Sequence, residues 1–175
     1  LPAGALPGRP WLWERGHHSV FEHVSLTYAV SGVSRVLLAQ YSRHRIGVSL
    51  SVQSQRHVKL HESSTRTVWP ASVQKAAPLI DQALELCWRA YSILLEEGVP
   101  AEDARYALPQ GVTTNFVTTV NLRSLMHLYR LRVLEPGAQW EIRDLVSEMV
   151  RLAVEAIPEL EEILRLDVKE AGKDG

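Results

Sequence analysis

The sequence predicts an α+β fold: long helices packed on a small mixed or antiparallel sheet. Three observations predict it. Apolar and polar residues alternate at every second position around 23–31 and again over 46–53, which is the period of a strand. Residues 71–98, and the stretch from Ala138 onward, repeat apolar residues every three to four positions, the period of an amphipathic helix. Glycine- and proline-bearing turns separate these segments, notably Pro109-Gln110-Gly111 and Glu135-Pro136-Gly137.

The chain has 175 residues, enough for one domain with a real core, and its 46% hydrophobic and 22% charged content is that of an ordinary globular protein. Its formal net charge is −1, so no bulk field favours coating nucleic acid or an anionic membrane, and any anion site must be a local cluster. No apolar run approaches the roughly 18 residues of a membrane span. Cys87 is the lone cysteine and has no internal disulfide partner, which makes a reducing, cytoplasmic setting the expectation. The first residues show no basic region followed by an apolar one, as a secretory leader would.

Taken in order, residues 1–16 are rich in Pro and Gly and read as irregular. From His23 a strand follows, with Val24, Leu26, Tyr28 and Val30 on one side; Gly32 is expected to break it. Ser34 is placed to cap a helix whose face carries Val36, Leu37, Gln40 and Tyr41, and which delivers Arg43, His44 and Arg45 at its C-terminal end. Residues 46–53 read as a second strand and 59–70 as a polar loop. One long helix is expected over 71–98, with Ile80, Ala83, Leu84, Cys87, Tyr91 and Leu94 in its stripe and Gly98 at its end. A short helix at 101–107 precedes the β-rich run VTTNFVTTVN. Asn121 caps the next helix, and a final long helix from Ala138 is expected to kink at Pro158.

Four constellations carry chemistry. GHHSVFEH (16–23) gathers His17, His18, Glu22 and His23, but lacks two histidines one helical turn apart around a glutamate; it fits a polar loop lining a ligand pocket better than a metal centre. RHRIGVSLSVQSQRHVKL (43–60) sets Arg43, His44, Arg45, Arg56 and His57 around Ser49, Ser51 and Ser54. Guanidinium forks suit phosphate, so this stretch reads either as a nucleotide grip or as a helix end followed by an exposed charged strand. NLRSLMHLYRLR (121–132) puts Arg123 and His127 on one helix face, with Arg130 read as part of a solvated face. Trp140 in AQWEI reads as a packing anchor. Cys87, inside an apolar stripe, has none of the electropositive exposure of a reactive thiol.

RHR followed by a serine-rich run and S-x-R resembles the signature of flavin-dependent thymidylate synthases. GHHSVFEH, QYSR (40–43), VPAEDARYALP, TVNLRSLMHLYRLR and AQWEI recur in that family's order, so the resemblance covers about residues 16–145. The resemblance implies a single domain over 1–175, with the family's opening strand expected upstream of residue 1. It implies FAD as cofactor, dUMP as substrate, 5,10-methylenetetrahydrofolate as carbon donor, NADPH as reductant and dTMP as product. It also implies a homotetramer whose active sites are shared between subunits, with no nucleic-acid or membrane partner.

By the same resemblance Ser19, Arg43, His44, Arg45, Asn121, Arg123 and His127 contact FAD. Gln40, Arg43, Ser54, Gln55, Arg56, Arg105 and Arg132 contact dUMP, the Ser54–Arg56 segment coming from a neighbouring subunit. Arg132 is the catalytic group, polarising the uracil ring in place of a cysteine nucleophile. The chain departs from the family in four places, one of them a turn before AQWEI that is longer than usual. Eight residues, not seven, separate Arg45 from Ser54, and a bulge near Gly47 is expected to absorb the extra one; Val52 replaces an acidic or amide residue; His127 replaces an asparagine. The competing readings are a non-catalytic flavin- or nucleotide-binding relative, and an RNA-binding module using the basic stretch. The near-zero net charge and the sparse aromatics beside the arginines weigh against the second.

Overall fold

The structure is a computed structural model and describes residues 9–61 and 67–171. Its elements run α1 (Arg9–Glu14), a 3-10 turn (His18–His23), β1 (Ser25–Ser34), α2 (Arg35–Tyr41), β2 (Val48–Val52), a 3-10 turn (Ala71–Ala76), α3 (Ala77–Glu96), α4 (Ala101–Ala104), a 3-10 turn (Arg105–Ala107), β3 (Thr113–Asn121), α5 (Leu122–Tyr129), a π-helical turn (Arg130–Leu134), α6 (Trp140–Ala156) and α7 (Leu160–Ala171). The α+β class expected from the sequence is the one observed.

The strands pair in the order β1-β3-β2. Thr27 meets Thr119 and Gly32 meets Asn115, so β1 and β3 run antiparallel; Ser49 against Thr118 and Gln53 against Asn115 show the same for β2 and β3. The central strand, β3, buries Thr114, Phe116, Thr118 and Val120 at alternate positions, as the period-2 pattern requires.

The chain divides into two compact units interleaved in sequence. The first takes the residues up to Tyr28, Arg43–Leu50 and everything from Thr118 onward; the second takes Ala29–Ser42 and Ser51–Val117. In the first, Leu122, Leu125 and Leu128 of α5 are buried together with Ile142, Val146 and Met149 of α6, because each helix repeats its apolar residues at three- to four-residue intervals. In the second, Trp88 and Tyr91 of α3 pack with Ala104 and Val112, and Tyr41 stacks on Phe116 with ring centres 5.3 Å apart.

Several local expectations change. The Pro/Gly-rich start contains α1, which buries Trp13 against Phe21; residues 1–8 lie outside the described residues, as do 62–66 of the polar loop. Gly32 does not break β1: it takes φ 71° within the strand, and its N–H donates to the Asn115 side chain. Val36, expected on the buried face of α2, is exposed, and Leu38 is buried instead. The 71–98 helix divides into a 3-10 turn and α3, with Pro78 at the start of α3 where a missing N–H costs nothing. The final helix is not kinked but broken. Proline disfavours helical backbone in the residue before it, and Ile157 sits at φ −139°, ψ 82°, so α6 stops and α7 begins after Pro158. No helix of the described residues is long and apolar enough to cross a membrane.

Candidate active site

In the first unit the site is assembled around the N-terminus of α5. Asn121 caps that helix as expected, its Oδ1 accepting the Ser124 N–H at 2.9 Å. Ser124 in turn donates its hydroxyl to the Ile46 carbonyl (2.8 Å), and the Asn121 N–H donates to the Gly47 carbonyl (2.9 Å), so the loop after Arg45 is fastened to the helix start. Gly47 has φ 65° and lies in the turn before β2, not in a strand bulge. A Cβ there would sit 2.8 Å from Asn121 Cγ and collide with the Asn121 amide and the Ser124 hydroxyl. The extra residue after Arg45 thus accompanies a turn that glycine alone fits, and the alternation of β2 from Val48 to Val52 is unbroken.

This fastening leaves a cavity of about 570 Å³ bordered by Trp13, His18, Ile46, Asn121, Arg123 and His127. Glu22, Gly47, Ser124, Met126 and Arg130 complete its lining. Trp13 and His18 form a stacked wall, with centroids 4.2 Å apart and planes 26° apart. His18 donates from Nε2 to the Trp13 carbonyl, which places its proton on that nitrogen. Arg123 pairs with the Glu22 carboxylate across the cavity rim. A smaller cavity of about 230 Å³ lies between Arg43, His44, Arg45, Ser124 and His127.

Arg132 lies in the π-helical turn after α5, a wider turn of the kind that gathers at functional sites. Its Nε (3.2 Å) and Nη2 (2.9 Å) both reach His44 Nε2. A guanidinium has no acceptor, so that ring nitrogen is unprotonated. Burial, first of all, and then the charges of Arg132, His127 and Arg43 hold the His44 pKa below its ordinary value.

The second unit carries the other basic cluster. Arg56 donates from Nε to Glu102 Oε2 at 2.7 Å, and Arg105 donates from Nε to the Glu102 backbone carbonyl at 2.9 Å, so one residue of α4 aligns both arginines. Arg35, at the start of α2, has its pKa lowered by burial and then by the Arg105 guanidinium; two cations share this neighbourhood. Ser54 accepts the Arg56 N–H on its hydroxyl (3.2 Å), which shapes the S-x-R turn. Gln40 is half-buried on α2.

Of the expected residues, Arg43, His44, Arg45, Asn121, Arg123, His127 and Arg132 therefore meet in the first unit, while Arg56 and Arg105 meet in the second beside Ser54. Ser19 is exposed and outside both cavity linings; its neighbour His18 lines the larger one. Sequence reading missed Trp13, Arg130, Arg35 and Glu102. Arg130 carried a usable signal: Arg123, His127 and Arg130 are four and three residues apart and form one helical stripe. Trp13 carried none, because its helix is hidden in a Pro/Gly-rich segment. Among the described residues no three His, Cys, Asp or Glu side chains gather as metal ligands.

Comparison with known proteins bears on this arrangement. Residues 10–159 match the family model described as thymidylate synthase complementing protein. The chain is 44% identical to the flavin-dependent thymidylate synthase of Geobacter sulfurreducens, over 82% of this chain and 62% of that protein. It is 36% identical to the flavin-dependent thymidylate synthase of Haloarcula marismortui (90% and 74%) and 39% identical to that of Sulfurisphaera tokodaii (83% and 56%). The chain thus spans about 62% of the Geobacter protein's length and 56% of the Sulfurisphaera protein's. With cavity, arginine clusters and matching span together, the chain belongs to the thymidylate synthase complementing protein family, that of the flavin-dependent thymidylate synthases.

Proposed function

We propose that this chain acts as one catalytic domain that reductively methylates dUMP to dTMP, with FAD as cofactor, 5,10-methylenetetrahydrofolate as carbon donor and NADPH as reductant. The observation that carries this reading is Arg132, a permanent cation held by the neutral imidazole of His44, which lines the smaller cavity; that cavity shares Ile46, Ser124 and His127 with the larger one, which has the aromatic wall and cationic rim.

The residues present fit a flavin. Trp13, Ile46 and Met126 offer apolar surface for a ring system, and Arg123, Arg130, Asn121 and His127 offer donors for its polar edge and phosphates. Arg43, His44, Arg45 and Ser19 are the further contacts that the family resemblance supports. The bound flavin would supply the one-carbon and hydride chemistry.

The chain's own residues have three tasks. Arg56, Arg105 and Arg35 bind the nucleotide phosphate, because converging guanidinium forks match its oxygens; Ser54 and Gln55 complete that grip and act as ligands, not nucleophiles. Gln40 and Arg43 orient the base. Arg132 donates from the part of its fork that His44 leaves open to a pyrimidine carbonyl oxygen, stabilising the negative charge that makes C5 nucleophilic. Cys87 takes no part: it is half-buried on α3 in the second unit.

The family resemblance supports a cytoplasmic homotetramer with shared active sites, in which the Ser54, Gln55 and Arg56 segment of one copy, with the Arg105 that it meets through Glu102, serves the flavin site of a neighbouring copy. Reconstitution with FAD, removal of excess and assay for dTMP with all three co-reactants tests the reading. Flavin bound and dTMP formed only when dUMP is present is the expected result. Flavin and dUMP bound without turnover would mark a non-catalytic relative, and a protein that retains no flavin would overturn the assignment.

A further inference from the structure

α3 is apolar on two faces, and the core uses only one. Trp88 and Tyr91 are buried, with Leu94 and Leu95 partly so, on the inward side. On the other side Leu79, Leu86 and Ile93 are 68%, 65% and 47% exposed. These three are seven residues apart, and the exposed Ala83 and Ala90 fall four residues after each leucine. A surface helix needs one apolar stripe; a second one at heptad spacing, with small residues between the large ones, is the pattern of a helix that packs against another helix.

The geometry points to a second copy of this chain as the occupant, its α3 lying antiparallel across a two-fold axis at Leu86. Under that symmetry each residue before Leu86 meets the partner's residue the same distance after it. Leu79 then meets Ile93, and Leu86 meets its own counterpart. Lys75, just before the helix, falls opposite Glu97 at its end. Glu85 and Arg89 lie on the same flank, and each comes within one turn of the other's copy. All four charged side chains are exposed, and none has an ion-pair partner among the described residues. A parallel pairing would instead set Lys75 on Lys75 and Glu97 on Glu97. The self-complementary order of the charges selects the antiparallel copy over an unrelated partner helix. The inference rests on the chain being a homo-oligomer and adds the surface through which two copies join.

The test compares molecular mass by sedimentation and light scattering for the wild-type chain, Leu86→Glu, Glu85→Arg and the double variant Glu85→Arg/Arg89→Glu. The wild type should self-associate, Leu86→Glu should halve the mass while keeping helical circular dichroism and a cooperative melt, and Glu85→Arg should weaken association that the double variant restores. In a Cys87→Ser background, Leu86→Cys should cross-link to a dimer on mild oxidation; Leu79→Cys should not, unless Ile93→Cys is added. This cross-linking decides the matter if Leu86→Glu fails to fold. An assembled wild type with unchanged mass in Leu86→Glu and no cross-link would overturn this surface and leave the homo-oligomer standing. A monomeric wild type would overturn both.

Discussion

Arg132 presents two N–H groups, from Nε at 3.2 Å and Nη2 at 2.9 Å, to the same ring nitrogen of His44. The contact exists only while that nitrogen keeps its lone pair. His44 therefore holds the arginine by remaining neutral, and its surroundings favour that state: burial first, and then its electrostatic interactions with Arg132, His127 and Arg43, oppose its protonation.

A pH dependence follows from that arrangement. The His44 pKa in the folded chain lies below the ordinary imidazole value, so the contact persists through neutral pH and is lost as pH falls through the lowered folded value. The folded state binds fewer protons than the unfolded one between these two pKa values, so stability also falls as pH is lowered through that window and is unaffected above it. His44→Gln keeps an acceptor but cannot titrate. Turnover of the wild type should fall on the acid side, and that limb should flatten in His44→Gln. An acid limb of the same shape in both proteins would remove His44 from the account.

Arg132→Ala should lower turnover by roughly 10²–10³ if the guanidinium stabilises charge developing on the pyrimidine. FAD binding, read from the visible absorption of the reconstituted protein, should survive. Arg132→Lys should recover little, because an ammonium cannot hold His44 and a carbonyl oxygen with one rigid fork. Near-normal turnover in Arg132→Ala would refute the role.

Arg105→Ala and Arg35→Ala should each weaken dUMP binding by about 10- to 100-fold, the range expected for a hydrogen bond to a charged group worth ~1.5–3 kcal/mol. Stability should change little in Glu102→Gln: the Arg56 and Glu102 side chains are 57% and 42% exposed, and such pairs contribute about 0–1 kcal/mol. Calorimetric titration with dUMP, beside thermal melts, separates the two effects. Unchanged dUMP affinity in both arginine variants would place the phosphate elsewhere.

Gly47→Ala and Gly32→Ala form a matched pair. Both glycines have positive φ, 65° and 71°, but a Cβ at Gly32 meets nothing within 4 Å whereas one at Gly47 runs into Asn121 and Ser124. Gly32→Ala should cost about 1–2 kcal/mol, the left-handed backbone penalty alone. Gly47→Ala should cost that plus ~1 kcal/mol for the disturbed Asn121 cap, and should lower flavin affinity as well. Urea denaturation midpoints check the order; equal losses would mean that the loop moves aside freely.

Much of the chain could be read without coordinates, because its signals are local. The alternation in β1, β2 and β3 declares strands. Ser34 and Asn121 announce helix starts by their own side-chain chemistry, and both do cap, accepting the Leu37 and Ser124 N–H groups at 3.0 and 2.9 Å. Ordered motifs named the family. The errors fell where local signals compete with packing or with a neighbouring residue. α1 forms inside a Pro/Gly-rich stretch where Trp13 is buried against Phe21. Helix period alone cannot say that Ile157, ahead of a proline, must leave the helix.

By itself the sequence determined the class of fold, the ends of most elements and the residue types available for binding anions. Tertiary structure decided which of those residues meet. Arg132 and His44 are 88 positions apart, and Arg56 and Glu102 are 46 apart; no periodicity spans such distances. A helix propensity or a turn is set by neighbours along the chain. The protonation of His44, the fit of Gly47 and the exposed second face of α3 are set by what the fold brings, or does not bring, against them.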